Sequence, residues 1–203
     1  MIDLSVPAVP YERPEGMDEG AGILLHVCCA PCSCAIIEGL LASGLAPTLF
    51  FYNPNIHPCE EYERRKAEVM RFADKVGVPC VDADYDTDAW LARVKGLEDE
   101  PERGRRCDAC FAMRMERTAL YAHENGFKWM ATSLSISRHK DQAQVHRAGL
   151  AAAAHHPDVT FWDYNWRRSG GADRGAALAK EEAFYRQTYC GCVYSQRKKK
   201  TDA

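Results

Sequence analysis

The sequence predicts one α/β domain built on a mostly parallel sheet flanked by helices. Short apolar runs of strand length alternate along the chain with segments of helical periodicity that are about ten residues or longer. The chain has 203 residues, which suits a single ordinary domain. Its composition, 46% hydrophobic and 27% charged, is typical of a globular protein and excludes a collagenous or mainly disordered one.

The first half of the chain is expected to form three strands and two helices. Residues 22–27 are a short apolar run, GILLHV, with the length of a buried parallel strand. Ile36, Ile37 and Leu40 then recur at helical spacing, and Gly44 stands where a helix commonly ends. By the same reasoning the predicted elements are strands at 22–27, 47–52 and 80–84 and helices at 34–43 and 60–76.

The second half is expected to form three helices and two strands. A helix over 107–125 places Phe111, Met115 and Ala119 on one face. The other predicted elements are strands at 128–133 and 159–164, helices at 142–155 and 176–189, and a glycine-rich loop at 169–173. The last helix is predicted to run directly into Cys190. Parallel α/β sheets carry their sites at the carboxyl edge of the strands, so the cysteines that follow the first strand mark that edge.

Clustered cysteines are the most informative feature of the sequence. Ten are present, and eight of them lie in three groups. The groups are Cys28, Cys29, Cys32 and Cys34, then Cys107 and Cys110, then Cys190 and Cys192. No apolar run approaches the roughly 18 residues of a membrane span, and the N-terminal residues lack the pattern of a signal peptide. The protein is therefore expected to be soluble and cytoplasmic, with thiols that stay reduced unless they perform chemistry.

Two pairs of cysteines, Cys28 with Cys29 and Cys107 with Cys110, offer four thiolates. The second pair forms a C-x-x-C at a predicted helix start, where both side chains share one face and backbone N–H groups favour thiolate anions. Four thiolates suit either a structural zinc or an iron–sulfur cluster. Directly adjacent cysteines are less usual in zinc turns, which favours the cluster, and buried inert cysteines are a third interpretation.

Cys190 and Cys192 are separated only by Gly191. Such a pair can close a very small disulfide ring, for which glycine supplies the backbone freedom. A strained disulfide of this kind is easily reduced, as is typical of a catalytic or regulatory couple. Two further metal ligands are the competing interpretation.

The net charge of −3 argues against a general nucleic-acid binder. Basic residues are nevertheless paired locally, as in Arg105–Arg106 beside the C-x-x-C and Arg167–Arg168 before the last predicted helix. Taken alone, such a pair is more often a solvated face than a binding site.

Two predicted loops carry motifs that could be functional. Asn53 and His57 lie in the loop after the second predicted strand, at the edge expected to hold the thiols, and are candidate substrate contacts. Residues 169–173, SGGAD, imitate part of the pyrophosphate-binding loop of ATP-consuming tRNA-modifying enzymes. That loop belongs after the first strand, where its amides meet phosphate at a helix N-terminus. Cys28 and Cys29 occupy this place, so the use of ATP is not expected.

Four separated motifs occur in order between residues 22 and 195. They are residues 25–32 (LHVCCAPC), 51–58 (FYNPNIHP), 106–110 (RCDAC) and 185–192 (YRQTYCGC). This set resembles the QueH family of epoxyqueuosine reductases. The resemblance implies reduction of the epoxide of epoxyqueuosine, at the wobble position of tRNA, to the cyclopentene of queuosine, which is the last step of queuosine biosynthesis.

The resemblance also implies cofactors, partners and a fold. The implied ligands of a [4Fe–4S] cluster are Cys28, Cys29, Cys107 and Cys110, and the implied redox-active disulfide joins Cys190 and Cys192. A mononuclear iron beside the cluster is a further expectation, with Cys32, Cys190 and Cys192 as candidate ligands. The partners would be tRNA carrying epoxyqueuosine and an electron donor that the sequence does not identify. The implied fold is a nucleotide α-hydrolase-like, Rossmann-like sheet.

A tRNA substrate needs phosphate contacts, and the expected substrate contacts are Asn53, His57, Arg105, Arg106, Arg167 and Arg168. The family pattern covers residues 21–196, between an acidic lead-in at 1–20 and a basic tail at 197–203. Two other functions compete: a zinc-stabilised tRNA-binding module without redox activity, and an ATP-dependent tRNA thiolation enzyme.

Overall fold

Five strands and six α-helices alternate along residues 10–196, the part of the chain that the computed structural model describes. The strands are β1 (Gly22–His26), β2 (Ala46–Phe51), β3 (Cys80–Asp82), β4 (Trp129–Thr132) and β5 (Thr160–Phe161). The helices are α1 (Ala30–Ala42), α2 (Cys59–Val76), α3 (Thr87–Arg93), α4 (Arg105–Glu124), α5 (Gln142–Ala153) and α6 (Gly171–Glu181). All five predicted strands are present, although β3 and β5 are shorter than predicted.

The sheet is parallel throughout, in the order β3-β2-β1-β4-β5. The chain builds outward from β1 to β3 and then continues on the other side of β1 with β4 and β5. The carboxyl ends of β1 and β4 therefore border the crevice in which sheets of this type carry their sites. The predicted α/β fold with a mostly parallel sheet is confirmed.

Strand β1 is the centre of the core. Ile23 and Leu25 pack in one hydrophobic cluster and Leu24 in a second, and all three side chains are fully buried. Burial on both faces explains why this strand reads as a continuous apolar run. The cysteines that follow β1 are thus attached to a fully buried strand. Among residues 10–196, no helix has both the length and the apolar character required to cross a membrane.

The prediction of a helix over 176–189 that runs into Cys190 is wrong. Helix α6 ends at Glu181, and Ala183 adopts a left-handed conformation with φ of 51°. Beyond it the backbone N–H of Tyr185 donates to Glu68 Oε2 of α2 at 2.9 Å. A tertiary contact has therefore replaced the next helical turn, and Cys190 lies in an irregular segment.

The predicted glycine-rich loop at 169–173 is partly helical. Residues Arg168–Gly170 form a short 3₁₀ turn, and Gly171 begins α6. A Cβ at Gly171 would lie 2.1 Å from the carbonyl oxygen of Trp166, so this glycine permits a close backbone approach.

The described part of the acidic lead-in packs on the core. Tyr11 is buried, its hydroxyl donates to the carbonyl of Ala35 at 3.3 Å, and its ring meets the ring of Trp166 at 4.8 Å between centroids. Met17 is buried as well. Residues 10–20 therefore belong to the folded unit, whereas residues 1–9 and the basic tail at 197–203 lie outside the described residues.

Candidate active site

A cavity of about 550 Å³ opens at the carboxyl edge of the sheet. Residues that follow three different strands line it, among them Cys28 after β1, Asn53 after β2 and Ser137 after β4. The other cysteines that line it are Cys107, Cys190 and Cys192. All three cysteine groups singled out in the sequence thus reach one cavity.

The tightest group of thiols comprises Cys28, Cys29 and Cys32. Their Sγ atoms lie within 4.8 Å of one another, and those of Cys28 and Cys29 are 3.8 Å apart. Cys29 is the extended residue that precedes α1, and Pro31 occupies the first turn of that helix. The step from strand to helix bends two adjacent cysteines towards a third, so this group is able to hold a metal ion.

Hydrogen bonds among the three thiols shift their pKa values in opposite directions. Hydrogen bonds from Cys29 and Cys32 hold the pKa of Cys28 well below its usual value. The hydrogen bond to Cys28 raises the pKa of Cys29 to about 12. Hydrogen bonds to Cys28 and Cys29 raise the pKa of Cys32 well above its usual value. Burial acts to lower the pKa of the nearby Lys140 ammonium, but the charges of Cys28 and Cys190 raise it. A buried thiolate beside a cation is the form of cysteine that binds metals.

Cys107 and Cys110 lie on the first two turns of α4, so the prediction that their C-x-x-C begins a helix is confirmed. Cys107 is half-buried, lines the cavity and accepts a hydrogen bond from the backbone N–H of Arg103 at 3.3 Å. Cys110 is buried against Trp90 and Cys192. Burial raises the pKa of both thiols. Neither sulfur belongs to the tight three-thiol group, and their role as ligands stays a prediction.

Cys190 and Cys192 are free thiols that face the cavity from the segment after α6. Cys190 is exposed, whereas burial of Cys192 raises its pKa to about 11. Gly191 between them has a φ of +112°, and a Cβ there would lie 2.9 Å from Cγ1 of Ile56. Glycine is thus required at this turn by both conformation and packing. The pair does not mark a helix end, contrary to prediction.

Comparison with known proteins decides the family. A family model described as "Epoxyqueuosine reductase QueH" matches residues 23–198. The chain belongs to the QueH family. A protein named Epoxyqueuosine reductase QueH from Acinetobacter baylyi is 54% identical over 194 residues, which cover 96% of this chain and 88% of that protein. The protein of the same name from Haemophilus influenzae is 53% identical over 92% of this chain and 75% of its own length. That from Thermotoga maritima is 35% identical over 85% of this chain and 89% of its own length. The expected oxidoreductase is thereby confirmed.

Three residues support the site in this QueH chain although the sequence predicted no role for them. Arg114 of α4 is buried and donates to Oδ1 of Asn53 at 2.6 Å, and Gln187 donates to Sγ of Cys29 at 3.2 Å. Arg65 of α2 donates to the carbonyl of Cys190 at 3.0 Å. For Arg114 a signal existed, because a charged residue stands on the apolar face of a helix. Arg65 and Gln187 carry no such signal.

Asn53 and His57, the predicted substrate contacts on the loop after β2, differ from each other in burial and hydrogen bonding. Asn53 is fully buried, and its side-chain amide donates to the carbonyl of Val27 at 2.9 Å, which ties this loop to the end of β1. Nδ1 of His57 lies 3.0 Å from the carbonyl of Asn55, and its Nε2 is buried without a hydrogen-bond partner among the described residues. Contact of either residue with substrate stays a prediction.

The four predicted basic contacts fall into two classes. Arg106 and Arg167 donate to backbone carbonyls: Arg106 to that of Glu98 at 2.8 Å and Arg167 to that of Ile136 at 3.1 Å. By contrast, Arg105 is 75% exposed, with one ion pair to Glu100 at 2.8 Å, and Arg168 is exposed. The exposed members of each pair are the better placed to meet phosphate.

Proposed function

We propose that this chain reduces the epoxide of epoxyqueuosine to the cyclopentene of queuosine at the wobble position of tRNA, the last step of queuosine biosynthesis. The observation that carries the proposal is that thiols from three distant parts of a QueH chain line one cavity. A deep cavity at the sheet edge suits a base that is splayed out of a single-stranded loop.

Removal of an epoxide oxygen consumes two electrons and two protons and releases water. Two thiols that join in a disulfide give up the same two electrons and two protons, so closure of the Cys190–Cys192 pair balances one turnover. Exposed Cys190 is accessible to a partner from solvent, whereas Cys192 is buried beside the cavity. We infer that this pair is the redox couple and that an external two-electron donor reopens it.

The thiols suit a metal centre in this cavity. The Sγ atoms of Cys28 and Cys29 lie 3.8 Å apart, hydrogen bonds lower the pKa of Cys28, and Cys107 lines the same cavity as Cys28. The proposed ligands of a [4Fe–4S] cluster are Cys28, Cys29, Cys107 and Cys110, and the candidate ligands of an adjacent iron are Cys32, Cys190 and Cys192. When bound, such a centre supplies an electron store and a Lewis acid for the epoxide oxygen.

The chain's own residues give the cavity a basic wall. Lys140, Arg103 and Arg114 line it together with the thiols, and basic residues outnumber the acidic ones, Glu100 and Glu102. Arg103 is exposed and is oriented by the carbonyls of Arg138 and His139, to which its guanidinium donates at 3.1 and 3.2 Å. Such a wall attracts the phosphates on either side of a splayed base, although the net charge of the chain is negative.

Product analysis tests the proposal. Anaerobically reconstituted protein is incubated with tRNA that carries epoxyqueuosine and with a strong chemical reductant, and the digested nucleosides are analysed by mass spectrometry. We expect conversion of epoxyqueuosine to the nucleoside that lacks one oxygen atom. The Cys28→Ser variant should lose both iron and activity, and the Cys59→Ser variant, whose exposed thiol lies outside the cavity, should keep both.

The same preparations distinguish a reductase from a zinc-stabilised tRNA-binding module. A reductase with an iron–sulfur cluster is brown and bleaches on reduction, whereas a zinc module is colourless. Colourless, zinc-loaded protein that binds tRNA and leaves epoxyqueuosine unchanged would overturn the proposed function.

A further inference from the structure

Three consecutive backbone carbonyls around Cys190 are all bound by neighbouring elements. Arg65 of α2 donates through Nη2 to the carbonyl of Tyr189 at 3.2 Å and through Nη1 to that of Cys190 at 3.0 Å. The backbone N–H of His57 donates to the carbonyl of Gly191 at 2.8 Å. In irregular segments at a surface such carbonyls usually bind water. Here protein donors bind all three, which is unusual.

Arg65 is itself fixed by a buried ion pair. The side chain is 2% exposed, and its Nη2 and Nε lie 2.6 and 2.8 Å from Oε1 of Glu61, one helical turn earlier. The other carboxylate oxygen of Glu61 accepts a hydrogen bond from the hydroxyl of Tyr185 at 2.9 Å. Buried ion pairs are weak evidence of stabilisation, but they orient groups well. The pair joins α2 to the segment after α6. Glu61 binds Tyr185, and Arg65 binds the carbonyls of Tyr189 and Cys190.

The guanidinium also shapes the turn between the two cysteines. A Cβ at Gly191 would lie 3.2 Å from Nη1 of Arg65, so the turn packs directly on the arginine. The ring of Tyr189 lies 5.4 Å from the Arg65 guanidinium carbon. With its backbone held on this side, the segment has both thiols lining the cavity.

We propose that Arg65 is a positioning residue for the Cys190–Cys192 pair, which it holds at the cavity by binding the carbonyls of Tyr189 and Cys190. It acts through the backbone and not through either thiol. The positioning itself is independent of the chemistry, and only its consequence for turnover rests on the proposed function. Without the guanidinium the carbonyls of Tyr189 and Cys190 lose their partner, the segment moves more freely, Cys192 becomes more accessible, and the pair spends less time at the cavity.

Thiol labelling tests the positioning. In the Arg65→Met/Glu61→Gln variant neither partner is left as an unpaired buried charge, which protects the fold. We expect the labelling rate of Cys192 by a maleimide to rise at least about tenfold, since two hydrogen bonds to a charged donor are lost. Cys34, fully buried on α1, reports global unfolding and should stay protected. Arg93→Met, which removes an exposed ion pair with Glu116, is the matched control and should label like the wild type.

Arg65→Lys provides a second variant that keeps a positive charge beside Glu61. A single ammonium lacks the planar fork that binds two carbonyls and a carboxylate together, so we expect a smaller rise in Cys192 labelling, about threefold. If the double variant unfolds, as shown by labelled Cys34, the lysine variant decides. Unchanged protection of Cys192 in every variant that folds would overturn the proposal.

Turnover distinguishes this proposal from the proposed function. With a dithiol as the two-electron donor, the folded double variant should show a reduced kcat and an unchanged KM for tRNA. Faster labelling of Cys192 with wild-type kcat would leave the positioning role of Arg65 intact and refute the redox role of the pair. Wild-type labelling with reduced kcat would refute the positioning role alone.

Discussion

At the scale of single residues, opposite pKa shifts distinguish the thiols of Cys28, Cys29 and Cys32. Hydrogen bonds within the group stabilise one anion at the cost of the other two, which raises the pKa of Cys29 to about 12. Such an arrangement suits thiols that meet on a metal, which replaces their protons. The sequence placed Cys32 in the same group and made it a candidate ligand of an adjacent iron, and in the structure its Sγ lies within 4.8 Å of those of Cys28 and Cys29.

Iron content is the first prediction at this scale. The Cys→Ser variants at Cys28, Cys29, Cys107 and Cys110 should each bind less iron and acid-labile sulfide per chain after anaerobic reconstitution, because a cluster ligand is lost. Cys59→Ser is the control with an exposed thiol. A Cys32→Ser variant that loses about one iron would identify Cys32 as a ligand of the adjacent iron. Full iron content in all four ligand variants would contradict the assignment.

Arg105 and Arg106 should respond differently to substitution. Arg105 is exposed, so Arg105→Ala should reduce the slope of log affinity for tRNA against log salt by about one unit and leave stability unchanged. Arg106 is buried and donates to the carbonyls of Leu97 and Glu98, so Arg106→Ala should lower the free energy of unfolding by about 2 kcal/mol. Salt-dependent tRNA binding and urea unfolding measure the two effects. The opposite pattern would move the tRNA contact to Arg106.

The sequence predicts the role of a residue only where that role depends on near neighbours in the chain. Paired cysteines stand out by spacing, whereas Arg65 and Gln187 are ordinary polar residues until the chain brings them to Cys190 and Cys29. Their roles depend on contacts across more than a hundred positions of the chain, which no periodicity encodes. The bonds from Arg106 and Arg167 to backbone carbonyls are shorter in range, to Glu98 and Ile136, but they depend on loop conformations that no periodicity encodes either.

At the scale of elements, the end of α6 decides where the thiol pair lies. Ala183 has a left-handed φ of 51°, which is strained for any residue with a Cβ. Ala183→Gly should therefore raise the free energy of unfolding slightly, by up to about 1 kcal/mol. Ala177→Gly, in the exposed interior of the same helix, should lower it by about 1 kcal/mol. Equal destabilisation by both changes in urea unfolding would mean that the helix continues through residue 183.

Elements were predicted well wherever their own sequence determines them. Strand β1 reads as an apolar run because both of its faces are buried, and α4 was found from the periodicity of Phe111 and Met115. The helix after Glu181 was wrongly extended because the bond from Tyr185 to Glu68 belongs to the tertiary structure. Helix α3 was missed because it is only seven residues long, although Asp86 caps it.

At the scale of the whole molecule, the folded unit includes part of the acidic lead-in. Tyr11 is buried among the rings of Trp162, Tyr164 and Trp166. Tyr11→Ala should therefore lower the free energy of unfolding by about 3 kcal/mol, the usual cost of removing a buried aromatic ring. Glu12→Ala, an exposed neighbour, is the control and should change stability little. Equal stability of both variants in urea would show that the lead-in is not part of the folded unit.

At the scale of the molecule, the proposed function brings substrate, metal centre and thiol couple together in one cavity. A single-turnover experiment tests this most directly. Reduced, iron-loaded protein is freed of excess reductant and mixed with tRNA that carries epoxyqueuosine, and queuosine and remaining thiols are counted. We predict about one queuosine per chain and the loss of two titratable thiols, at Cys190 and Cys192. Queuosine formation with both of these thiols intact, or none from iron-loaded protein, would contradict the account.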